Sequence, residues 1–218
     1  QKAVASSNTP PLSKADQALS DAFNGFFNAS NPDTTALSAG AQKAHEMIVD
    51  AYLNNTGKTK WIAFTSIGTT WSNLIRSAIT EFIQYGNSHA TAGYYQTFDD
   101  GNGTALDGSR HNYVLRFPKN QIPEAKRFWS LTAYIPDSIT LYKNASNTYL
   151  VGSYTPGLQY GKDGSVSIYM ANVQPKGVPA ANWLPVPSGP FNVMLRVYGP
   201  EGTVESGTYV PPAVRAFR

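Results

Sequence analysis

The 218-residue chain has no cysteine. That one absence removes disulfides, thiolate metal sites and cysteine nucleophiles. Charge is also scarce: Asp, Glu, Lys and Arg make up 14% of the residues, against roughly 25% in ordinary soluble domains. The 17 basic and 14 acidic residues are scattered without a run, giving a net charge of +3 and no footprint for nucleic acid. No apolar stretch approaches the ~20 residues of a membrane-spanning helix. Only 3 histidines are present, His45, His89 and His111, too dispersed to suggest a metal centre. The chain begins at Gln1 rather than Met, as a mature product does after loss of a leader or a trimmed first residue.

Rings and turn formers are plentiful instead. The chain carries 13 Tyr, 10 Phe and 4 Trp, with 18 Gly and 15 Pro, and 41% of its residues are hydrophobic. Such a composition excludes disorder, coiled coil and collagen, and it fits a strand-rich fold with aromatic faces. Sequons at Asn28, Asn54, Asn102 and Asn144 are close to the number chance would place, and lean only slightly towards a secreted protein.

The period of the hydrophobic pattern divides the chain near residue 90. After an aperiodic arm through Pro11, Ser13 and Asp16 form a start resembling a capping box. Leu19, Ala22, Phe23, Phe26 and Phe27 then recur at helical spacing, and the helix is expected to stop near Asn31-Pro32. A second helix is expected over 38–53. A third, carrying Trp71, Leu74, Ile75, Ala78, Ile79, Phe82 and Ile83, is expected to be capped by Thr69 or Thr70 and ended by Gly86, with one face buried. Residues 61–64 read as a short strand or a buried turn.

Beyond residue 90 the period becomes 2, with strands expected over 93–98, 112–117, 128–134, 140–142, 166–170 and 191–198. In the last of these, Phe191, Val193, Leu195 and Val197 share one face, while Asn192, Met194, Arg196 and Tyr198 share a mixed one. The fold class is therefore α+β: an antiparallel β-sandwich with an N-terminal layer of about three helices, in a single domain over 1–218.

A set of short motifs in one order accompanies these strands. It comprises Tyr95-Gln96-Thr97-Phe98-Asp99, Asp107-Gly108, Tyr113 to Pro118, Phe128-Trp129-Ser130-Leu131-Thr132, Asp163-Gly164-Ser165, Asn182-Trp183-Leu184-Pro185 and Arg196-Val197-Tyr198. From Ala92 to Pro212 the order and spacing resemble the DUF1214 family, which implies a jelly-roll-like β-sandwich. The family's function is uncharacterised, so the resemblance implies no chemistry. In longer members a DUF1254 domain precedes this one, and nothing that depends on such a domain is carried over to this chain.

The motifs that could carry catalysis are weak. Gly86-Asn87-Ser88-His89-Ala90 approximates a nucleophile elbow, but the local order is helix then strand, the reverse of what lifts a serine over a sheet. Asp99, Asp100 and Asn102 are weak ligands for adventitious Mg²⁺ or Ca²⁺. Ala105 and His111, however, stand where an EF-hand needs glycine and a bidentate glutamate, so a hairpin turn accounts better for the segment. No spacing sets a carboxylate pair for glycosidase chemistry.

The more informative constellation is aromatic. Trp71, Tyr95, Trp129, Tyr134, Trp183, Arg196 and Tyr198 are the candidate ligand-binding residues, because rings with donors suit a flat or apolar molecule. Arg116 and Arg196 occupy strand interiors and are expected to pair with a carboxylate such as Asp163 or Asp137. Against this stands a purely structural reading, in which Asn182 to Pro185 and Arg196 lock a loop over the sandwich. Chain size, absence of cysteine and ring content also resemble those of a chromoprotein, which implies a noncovalently held organic chromophore as the cofactor class. The reading is a non-catalytic binder of an apolar or aromatic small molecule. An enzyme acting on a small organic or carbohydrate substrate in the same pocket, and a structural or oligomerising protein, remain as alternatives. The partners expected are the small molecule and, left open, a second copy of the chain in a homodimer, with no nucleic acid and no membrane.

Overall fold

The structure is a computed structural model that describes residues 13–68, 72–83, 86–136 and 140–217. The chain divides into two compact units, Gln1–Glu46 and Met47–Arg218. The unit that contains the sandwich begins within a helix, at Met47.

The first unit holds α1 (Lys14–Phe27) and the start of α2 (Thr34–Leu53). Ser13 caps α1: its Oγ accepts the Asp16 amide at 3.1 Å, the first half of a capping box, and donates to the Asp16 carboxylate at 2.6 Å in place of the reciprocal backbone bond. The helix ends earlier than Asn31-Pro32, because Asn28 already closes it through its amide to Asn24 O. α2 begins four residues before the expected start, since Asp33 caps it by accepting the Ala36 amide at 2.9 Å.

In the second unit the remaining elements are β1 (Ile62–Ala63), α3 (Asn73–Phe82), β2 (Ala92–Thr97), β3 (Asn112–Phe117), β4 (Ala125–Ile135), β5 (Thr140–Leu141), β6 (Leu150–Gly152), β7 (Val166–Ala171), β8 (Trp183–Pro185), β9 (Asn192–Pro200), α4 (Gly202–Glu205) and β10 (Arg215–Phe217). The ambiguous segment at 61–64 therefore contains a strand, β1. The cap of α3 is Ser72, whose Oγ accepts the Ile75 amide at 3.2 Å; Thr69 and Thr70 lie outside the described residues. The helix closes at Ile83, before Gly86.

The large sheet runs β1-β2-β9-β4-β5, with β6 also on β4; the small sheet runs β10-β3-β7-β8. All pairings are antiparallel except β7 with β8. The two sheets share one core. Leu115, Phe117, Ile168, Met170 and Leu184 of the small sheet meet Leu131, Val193, Leu195 and Val197 of the large one, all essentially without solvent contact. Burying each such side chain contributes about 1.5–3 kcal/mol. The fold is α+β with a helical N-terminal part, as the change of period predicts.

The mixed face of β9 points away from that core. It is covered by the end of α2 and by α3, where Tyr52, Phe64, Ile67, Ala78, Ile79 and Ile83 pack on Tyr94 and Met194. The expected buried face of α3 is this one.

Candidate functional site

Where the α2 end and α3 cover the large sheet, a cleft of about 410 Å³ remains. Its walls come from Val49 and Leu53 of α2, Ile62 of β1, Phe82 of α3, and Phe98 and Pro136 at strand ends. Phe82 stacks on Tyr52 at 4.1 Å between ring centroids and meets Phe98 edge to face at 6.1 Å, so the aromatic wall is fixed on both sides. Thr56, Lys60 and Asp99 supply the polar part of the lining. Lys60 is held in the left-handed region, at φ 68°, a strained state for a residue with a side chain. Its aliphatic end lies beside Gly103 in the turn after β2.

Beneath the cleft a polar chain crosses the helix–sheet boundary. The Tyr52 hydroxyl donates to Gln96 Oε1 at 2.5 Å, and Gln96 Nε2 donates to Asn192 Oδ1 at 2.9 Å, all three residues being buried. Burial pushes the Tyr52 hydroxyl well above the usual tyrosine range.

The candidate residues do not converge on one pocket. Tyr134, Arg196 and Tyr198 lie on the helix-covered side of the large sheet, in register with Asn192, Ser130 and Phe128 respectively. Tyr95 and Trp129 point the other way, into the sandwich core, and Trp183 sits on β8 of the small sheet. Trp71 lies outside the described residues, as does Asp137. Tyr95 packs edge to face on Tyr209 at 5.4 Å; its hydroxyl is buried without a partner among the described residues, and burial pushes it up to about 12.

The pairing expected for the arginines is half right. Arg116 does pair with Asp163, but at the surface, with both side chains more than half exposed. Arg196 pairs with no described carboxylate. Its guanidinium lies 5.4 Å from the centre of the Tyr134 ring, a cation–π contact on a half-buried face.

Of the weak metal ligands, Asp100 has its carboxylate engaged by backbone amides. Asp100 Oδ1 accepts the amides of Asn102 and Thr104 at 2.8 and 3.0 Å, and Gly103 takes φ 80°, so the segment is a tight turn closed by Asp100. Asp99 pairs through its backbone with Ala105 and contributes to the cleft. In the elbow-like segment, Ser88 O accepts the amides of Thr91 and Ala92, and His89 Nε2 lies 3.0 Å from Val204 O, so both residues shape the turn into β2.

A second groove, of about 580 Å³, lies on the outer face of the small sheet. Sequence reading missed it. Its residues come from Thr59, β3, β7 and the C-terminal β10, and the three-residue β10 is too short to show a period.

The family model described as a protein of unknown function (DUF1214) matches residues 91–202. The chain belongs to the DUF1214 family. A solved structure, the VPA0106 protein from Vibrio parahaemolyticus, is similar over 94% of this chain at 28% identity, with a TM-score of 0.61. An uncharacterised protein from Burkholderia cenocepacia aligns over 93% at 13% identity, with a TM-score of 0.40. The chain spans about half the length of each of these two, 51% and 49%. No curated protein matches it.

Several DUF1214 motifs do structural work. At Asp107-Gly108 the carboxylate accepts the Ser109 amide and hydroxyl at 2.9 and 2.6 Å, which holds it below the usual carboxylate range. A Cβ on Gly108 would come within 2.2 Å of Pro187 O, so the close approach of two backbones there demands glycine. Asp163-Gly164-Ser165 repeats the device, with Ser165 bonded to Asp163 Oδ1 and Gly164 at φ 77°. Trp183 to Pro185 is strand β8 rather than a loop. The locking residue is Asn182, buried just before it, which bonds Gln159 N, Gln159 O and Ser167 O, each at 2.9 Å. Trp183 Nε1 adds a bond to Ala171 O at 2.9 Å.

Proposed function

We propose that this DUF1214 protein binds an apolar or aromatic small molecule, without turning it over, in the cleft between the end of α2, α3 and the large sheet. The observation that carries the reading is the lining. Six apolar side chains, Phe82 and Phe98 among them, surround about 410 Å³, a volume within the range of small-molecule pockets. Lys60 and Asp99 give a ligand with one polar end two groups of opposite charge to address. A pigment is one member of this ligand class. Rings that stack on Phe82 and Phe98 would suit its flat conjugated system.

The test uses the neutral fluorophore N-phenyl-1-naphthylamine and the blocking variant Leu53→Trp. Leu53 is 41% exposed, so an indole there fills the cleft without disturbing the core. A saturable rise in fluorescence with the native protein, lost in a variant that melts at the native temperature, supports the reading. No saturable rise, or equal affinity in both proteins, overturns it. Mass spectrometry of an organic extract of protein from its natural source, with a visible spectrum, then decides between a pigment and a colourless ligand.

A further inference from the structure

We infer that the outer face of the small sheet is a second ligand site, one that takes a planar aromatic anion of the arenecarboxylate class. Two rings and two guanidinium groups meet there. Tyr169 of β7 and Phe217 of β10 stand edge to face, 5.5 Å between centroids and 77° between planes, and leave a half-buried aromatic surface. Val114 of β3 lies between Arg215 and Tyr169 and is the direct partner of each. Arg116 projects from the same face of β3 two residues further on. An apolar groove with guanidinium groups at its rim matches a flat ring that carries a carboxylate, because the planar fork of arginine complements two coplanar oxygens.

The charge at the rim is spent internally only in part, through Arg116. Arg116 gives only Nη2 to Asp163, whose other oxygen is already taken by the Ser165 amide and hydroxyl. Its remaining N–H donors stay available. Arg215 forms no ion pair with any described carboxylate and is exposed.

The site is separate from the apolar cleft, and its test is built to tell the two apart. Calorimetric titration of the whole protein with sodium 2-naphthoate is compared with titration by the neutral analogue 2-naphthalenemethanol, at low and at high salt. We expect saturable binding of the naphthoate that weakens with salt, and a neutral analogue at least about tenfold weaker, the loss that follows from removing one charge-assisted hydrogen bond. Arg215→Gln should weaken naphthoate by a similar factor while keeping the native melting temperature. Leu53→Trp should leave naphthoate affinity unchanged. Absence of saturable binding, equal affinity for the two analogues, or loss in Leu53→Trp with retention in Arg215→Gln would each overturn the assignment.

Discussion

The hydroxyl of Tyr52, on the last turn of α2, reaches across the helix–sheet boundary to Gln96 Oε1 on β2 at 2.5 Å, and Gln96 in turn holds Asn192 on β9. Three buried polar side chains from elements far apart in sequence satisfy one another in a row. They fix how the α2 end seats on the large sheet, and so fix the cleft wall formed by Phe82, which stacks on the Tyr52 ring.

Removing that hydroxyl is predicted to be costly. Tyr52→Phe leaves Gln96 Oε1 buried without its donor, an unsatisfied acceptor that costs about 1–3 kcal/mol. Urea unfolding should show a lower midpoint with an unchanged slope. Combining Tyr52→Phe with Gln96→Leu is not predicted to restore stability, because Asn192 Oδ1 then loses its own donor.

Tyr95 predicts the opposite outcome from the same change. Its hydroxyl is buried and has no described partner, so Tyr95→Phe should leave stability at neutral pH unchanged or raise it by up to about 1 kcal/mol. Its folded value of about 12 lies above the ordinary tyrosine value of about 10. The unfolded chain therefore releases this proton first as pH rises. The stabilisation is complete below pH ~10 and is lost as pH approaches ~12. Melting temperature should fall across that window, and by less in Tyr95→Phe. Tyr52 and Tyr209, both raised by burial, add to the same decline, and their tyrosinate absorbance should appear only on unfolding.

Arg196 offers a sharper test of what packing decided. With the Tyr134 ring 5.4 Å from its guanidinium carbon and no described carboxylate beside it, Arg196→Met should cost about 1 kcal/mol, the worth of a partly desolvated cation–π contact. A loss of several kcal/mol in denaturant unfolding would instead reveal a buried ion pair.

Much of the fold could be read from local pattern because the physics there is local. The capping pair Ser13 and Asp16, the period of 3.6 through Ile79 and Ile83, and the alternation of β9 each depend on neighbours within a few residues. The parity of β9 was legible too: Phe191, Val193, Leu195 and Val197 do face the sandwich core. The short strands β6, β8 and β10 were not, because three residues carry no period and their pairing is settled by strands elsewhere in the chain.

The sites belong to that second category. Sequence by itself determined an α+β domain of the DUF1214 type, its strand faces and its turns, since alternation and glycine placement act through the chain's own geometry. Only the tertiary structure decided that Val49, Phe82, Phe98 and Pro136 would wall one cleft, that Tyr95 and Tyr134 would face opposite ways, and that Arg215 would come to rest beside Val114. Those juxtapositions arise from helix seating and strand order. Both are set by burying apolar area between segments that share no local signal.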